Sequence, residues 1–104
     1  MYKLENEQIQ MGYTISEFSS VLHGNFSSAD SKFSCEDLSP DSWIITQDLS
    51  QFRMHIQVQQ LAARSLGLLE LPVLGVSFKP ISGTSSEKQL FFEKFFRYFH
   101  KGGG

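Results

Sequence analysis

Apolar and polar positions follow two rhythms along the chain, and the changes between them predict its elements. Over residues 52–59 the alternation is strict. Phe52, Met54, Ile56 and Val58 point one way and Arg53, His55, Gln57 and Gln59 the other, since successive side chains of a strand leave opposite faces. The same period joins Phe33 to Cys35 and Trp43 to Ile45, with Ser-Pro-Asp-Ser between them as a turn. Gln-Asp-Leu-Ser-Gln at 47–51 predicts a second turn. Residues 66–78 are denser. Leu74, Val76 and Phe78 alternate with small residues, while Leu68, Leu69, Leu71 and Val73 fill both sides. Pro72 has no N–H for a ladder, so the segment predicts two strands that break near it. At the start, Tyr2 and Leu4 form one alternating piece and Ile9 and Met11 another. Either a hairpin or one bulged strand fits that spacing.

Helical spacing appears twice. Ile15, Phe18 and Leu22 repeat on one face, behind a Thr14/Glu17 capping box in which each residue satisfies an N–H of the other. Tyr13 and Phe18 occupy the staple positions, and Gly24 is a natural stop. These signals predict a helix over about 14–23. A second box, Thr84 with Glu87, opens a helix predicted over about 85–101. At about 100° per residue, Phe91, Phe92, Phe95, Phe96, Tyr98 and Phe99 cover an arc of roughly 160°. Glu93, Lys94, Arg97 and Lys101 take the other side. Glu93 and Arg97 stand four apart with the acid first, the favourable order. Gly102 is expected to end this helix, with His100 and Lys101 at the negative end of its dipole.

Short strand connections allow antiparallel neighbours and exclude crossover helices in the middle of the chain. The prediction is therefore an α+β domain of two layers: an antiparallel sheet of about 4–6 strands with both helices on one face. Its 104 residues fit one domain, 1–104, with 102–104 as a flexible glycine tail.

Composition narrows the function classes. Hydrophobic residues make up 40% and charged residues 19%, which argues against disorder. The net charge of −2 and the scattered Lys and Arg argue against nucleic acid, whose binding needs a basic patch. Cys35 is the one cysteine, so no internal disulfide can form, and a lone thiol suits a reducing compartment. Residues 1–12 lack a basic region followed by an apolar run, and no apolar run approaches the ~20 residues of a membrane span. A soluble, cytoplasmic protein without signal peptide or membrane contact is expected.

Candidate chemistry is sparse. His23, Cys35, His55 and His100 are the imidazole and thiol ligands, and none is paired at a zinc-type spacing, so neither a metal nor a cofactor is expected. Cys35 lies in phase with Phe33 and is expected to face inward, where a thiol is inert. Phosphate-cradling and nucleophile-elbow motifs are missing from the sequence. The polar row Arg53, His55, Gln57 and Gln59 could hold a ligand on one sheet face; the plain alternative is a solvated face. Leu66, Leu68, Leu69, Leu71, Val73 and Leu74 cannot all face one helix layer, so part of this segment is expected to be an association surface.

The closing Gly103-Gly104, with the opening residues 2–22, resembles the ubiquitin-like sulfur carriers and modifiers. That resemblance implies a terminal carboxylate that is adenylated and then carries sulfur or joins an amine. Those proteins reach their tail from a strand, whereas here it follows a predicted helix. The expected function is a non-catalytic interaction module that binds a protein partner or a second copy of itself. A carrier working through Gly103 and Gly104 is the alternative.

Overall fold

In the computed structural model, which describes residues 8–27 and 32–99, the chain forms an α+β fold. The elements run β1 (Gln8–Met11), α1 (Ile15–Phe26), β2 (Phe33–Ser39), β3 (Ser42–Gln47), β4 (Arg53–Leu66), β5 (Leu69–Ser82) and α2 (Ser85–Tyr98). The five strands make one sheet in the order β1-β5-β4-β3-β2, with every neighbouring pair antiparallel. Tyr2 and Leu4, the first half of the predicted hairpin, lie outside the described residues.

Both helices start where the capping boxes place them. The Glu17 N–H donates to Thr14 Oγ1 at 3.1 Å, and the Thr14 N–H donates to Glu17 Oε1 at 2.9 Å. Thr84 and Glu87 repeat the exchange at 3.1 and 2.8 Å. The Thr84 N–H is also the main reason that the Glu87 carboxyl is held below the ordinary carboxylate range. Such caps contribute about 0.5–2 kcal/mol each. Tyr13 and Phe18 meet edge to face at 6.4 Å, completing the staple.

The helix ends differ from the sequence expectation. α1 runs past Gly24 to Phe26. Phe26 is fully buried against Phe33 and Phe91, at 5.3 and 5.4 Å, and this burial outweighs the helix cost of one glycine. α2 stops at Tyr98, where Phe99 leaves helical geometry and its N–H bonds the Phe95 carbonyl. His100 and Gly102 lie outside the described residues.

The helices share one face of the sheet. Trp43, Ile56 and Phe78 stand directly opposite one another across β3, β4 and β5, so their side chains point the same way. Phe18 of α1 packs on Trp43 at 5.4 Å, while Phe92 and Phe95 of α2 pack on Phe78 at 5.1 and 5.0 Å. Of the aromatic arc, Phe91, Phe92, Phe95 and Phe99 are buried; Phe96 is partly buried and Tyr98 lies at the rim. Lys94 Nζ sits 5.3–5.9 Å from the ring centres of Tyr98, Phe26 and Phe33, lying over that edge of the core.

The break expected near Pro72 is absent: β5 is one strand of 14 residues. The register shows how. Leu61 pairs with Val73 and Arg64 with Leu71, so Ala62 and Ala63 together stand opposite Pro72. The extra residue on β4 absorbs the missing donor as a bulge. A second shift falls beside Pro80, where Ile81 is the extra residue between Pro80 and Ser82.

Beyond the body of the sheet, β4 and β5 continue alone. β3 pairs with β4 as far as Gln57, and β1 pairs with β5 as far as Leu74. Residues 61–73 therefore form a two-stranded arm among the described residues, closed by a two-residue loop at Gly67-Leu68. Gly67 has φ of 62°, as a type II′ hairpin turn requires at its first central position. The arm accounts for an elongated outline of 48 × 27 × 23 Å.

Candidate functional site

The sheet face opposite the helices is assembled by strand alternation alone. Leu74, Val76 and Phe78 are buried under the helices, so Leu69, Leu71, Val73, Gly75, Ser77 and Lys79 take the other side of β5. Their partners on β4 are Leu66, Arg64, Leu61, Gln59, Gln57 and His55. The predicted row Arg53, His55, Gln57 and Gln59 thus lies on this helix-free face, with His55 half-buried and the other three exposed. At its middle, Gly75 leaves a gap that the Gln8 side chain fills; a Cβ there would sit 2.5 Å from Gln8 Cδ. Gln8, Gln57, Gln59, Gly75 and Ser77 line an open groove together with Asp41, and Ile15, Val58 and Gln60 join its lining from the helix side of the sheet. Amide and hydroxyl groups of this kind can both donate and accept.

Farther out the face turns apolar. Leu61/Val73 and Leu66/Leu69 are facing pairs, and Leu71 faces Arg64. Relative exposure is 56% at Leu66, 105% at Leu68, 64% at Leu69 and 40% at Leu71. Of the six residues expected to form an association surface, these four are exposed, whereas Val73 and Leu74 are buried, Leu74 completely. The arm's edges are blunted. Pro72 occupies the β5 edge and the Ala62-Ala63 bulge the β4 edge, both features that disfavour addition of a strand.

A second cluster lies between α1 and β2, where no spacing in the sequence announces it. Cys35 and Asp37 share a face of β2, and His23 meets them from α1. His23 Nε2 lies 2.8 Å from Asp37 Oδ1 and 4.0 Å from Cys35 Sγ, and Ser27 Oγ lies 3.4 Å from His23 Nδ1. The residue types are those of a nucleophilic triad, but the wiring differs. A triad histidine uses one ring nitrogen for the carboxylate and the other for the nucleophile. Here the same Nε2 donates its proton to Asp37 and faces the thiol, so it has no lone pair with which to take the thiol proton. Burial and the Asp37 carboxylate push the Cys35 thiol up to about 12, partly offset by a hydrogen bond from Ser27. Among the described residues, no three His, Cys, Asp or Glu side chains are grouped so as to hold a metal ion.

Cys35 should accordingly alkylate slowly. A rise from 9.0 to about 12 lowers the thiolate fraction at pH 8 on the order of a thousandfold. Iodoacetamide modification followed by mass spectrometry is expected to be slower by about that factor than for an exposed thiol, and still climbing at pH 10. A rate that levels off near pH 9 would mean that the thiol is not held in this environment.

Comparison of the chain with protein-family models, with curated proteins and with solved structures gives no match. No helix among the described residues is long and apolar enough to cross a membrane. Gly103 and Gly104, the residues of the carrier alternative, lie outside the described residues, as does His100.

Proposed function

We propose that this chain is a non-catalytic protein-interaction module that engages its partner through the projecting β4–β5 arm. One observation carries the reading: a two-stranded arm that stands clear of the core and exposes Leu66, Leu68, Leu69 and Leu71 around its tip. Contiguous exposed leucines cost solubility and contribute nothing to the core, so their use lies in being covered by something else. The raised thiol of Cys35 and the single-nitrogen wiring of His23 favour a structural role for the His23, Cys35 and Asp37 cluster.

The test compares the native chain with a variant in which Leu66, Leu68, Leu69 and Leu71 are all serine. The variant is expected to melt within a few degrees of the native chain, because none of the four supports the core. It should lose every partner that the native chain captures and re-binds in purified form, and any self-association seen by light scattering. Identical partners for both proteins, together with a monomeric native chain, would remove the arm from function.

A further inference from the structure

We infer that the helix-free face of β4 and β5 is a docking track for an extended segment of another protein, acidic at one end and apolar at the other. The inference rests on the interaction-module reading and adds the chemistry of the partner.

Arg53 begins the track, and His55 follows on the same face with Lys79 directly opposite it on β5. Arg53 and Lys79 are exposed, and among the described residues neither they nor Arg64 has an ion-pair partner. On the flanking strands β1 contributes Gln8 and Gln10 to this face and β3 contributes Ser42, Ile44 and Thr46, and Asp48, just past β3, lies on it as well: its Oδ1 accepts from Ser34 Oγ at 3.5 Å, and Ser34, Thr46 and Arg53 stand in one row. Glu36 shares the face but lies on β2, two strands from β4. The Asp41 carboxylate, 2.6 Å from the Ser39 hydroxyl, borders the middle of the track beside Gln57 and Gln59, and Glu70 pairs with Ser65 on the other side of the arm. What the track offers an acidic residue is therefore local: Arg53 and Lys79, two cations on neighbouring strands without ion-pair partners among the described residues, with Asp48 and Glu36 set toward the β2 side of the face.

From that end the track passes through Gln57, Gln59 and Ser77, which can satisfy a partner's backbone, and reaches the leucine surface of the arm. At ~3.3 Å per residue, the distance from Arg53 to Leu66 is about 43 Å, the reach of an extended segment of about a dozen residues. With both arm edges blunted, such a segment lies on the face and does not add as a strand.

The experiment uses the full chain and a labelled 12-residue probe peptide, with Glu alternating with Ser in one half and Leu alternating with Ser in the other. Its counterpart carries Lys in place of Glu. By fluorescence anisotropy the acidic peptide is expected to bind and the basic one not. Binding should weaken on the order of tenfold in the double variant Arg53→Glu, Lys79→Glu, and similarly when salt is raised from about 50 to about 500 mM, which shortens the screening length. It should be lost in Leu69→Asp. Equal binding of the two peptides, or binding of neither, overturns the inference. So does a mass that doubles with concentration and reverts in Leu69→Asp, or co-sedimentation with phosphatidylcholine/phosphatidylglycerol vesicles in place of peptide binding; in those two cases the arm remains an interaction element with a different partner. A monomer that binds neither peptide nor vesicle removes the docking track, while the interaction-module reading falls only if the four-serine variant captures the same partners as the native chain.

Discussion

Phe95→Ala is expected to bring the protein close to its unfolding limit. Phe95 is fully buried and joins three elements: it stacks on Phe99 at 4.3 Å, meets Phe78 of β5 edge-on at 5.0 Å, and contacts Phe18 of α1 at 6.1 Å. Truncation removes the ring's transfer energy and leaves a void that α1, α2 and the sheet cannot all close, at a cost of about 3–5 kcal/mol. A domain's whole stability is about 5–15 kcal/mol, so the loss takes a large share of it. Urea unfolding followed by circular dichroism should show the midpoint falling by roughly 2 M for a typical slope. Tyr98→Ala, on the same helix but at the rim, is expected to cost less than about 1 kcal/mol. Equal effects of the two changes would mean that the aromatic arc does not roof the sheet.

That contrast also shows why so much of the fold was legible beforehand. The core is made by local rules that a sequence displays openly: two capping boxes, one strict alternation and one aromatic arc. Each is a period or a fixed offset within a few residues. The errors fell where a longer-range term decides. Gly24 is a sound local stop, but Phe26 finds a pocket between Phe33 and Phe91, and tertiary burial carries the helix one turn further. Pro72 is a sound strand breaker, but a bulge on the partner strand, about ten residues earlier in sequence at Ala62-Ala63, accommodates it. Neither event has a signature near the residue concerned.

The candidate site divides in the same way. The row from Arg53 to Gln59 was visible because alternation fixes the face of every residue in it. What alternation cannot supply is the strand beside each one. Lys79 joins His55, and Gln8 covers Gly75, only through the sheet register. The meeting of His23 with Cys35 and Asp37 depends on how α1 lies on β2, which no spacing encodes. For residues 66–74 the sequence showed too many apolar side chains for one layer but not which were surplus. The answer depended on where β1 and β3 stop.

Leu74→Asp and Leu69→Asp, five residues apart on one strand, should therefore behave as opposites. Leu74 is fully buried against the helix layer, and a carboxylate there has no partner and little water. Burying it costs several kcal/mol, enough with the lost packing to leave most chains unfolded at pH 7. The group escapes part of that cost by taking up a proton, so its pKa in the folded state is raised above the unfolded value of about 3.9. By linkage the penalty is complete above the raised value and is relieved as pH falls toward the unfolded one, so this variant should gain stability on mild acidification while the native chain does not. Leu69 stands 64% exposed on the arm, where a carboxylate keeps its hydration. Leu69→Asp should melt within about 0.5 kcal/mol of the native chain and yet lose the docking activity of the arm. Thermal melts at pH 7 and pH 4.5, run beside the peptide-binding assay, give both readouts on the same samples. If Leu69→Asp also unfolds the protein, the arm is part of the core and the surface assigned to the partner disappears with it.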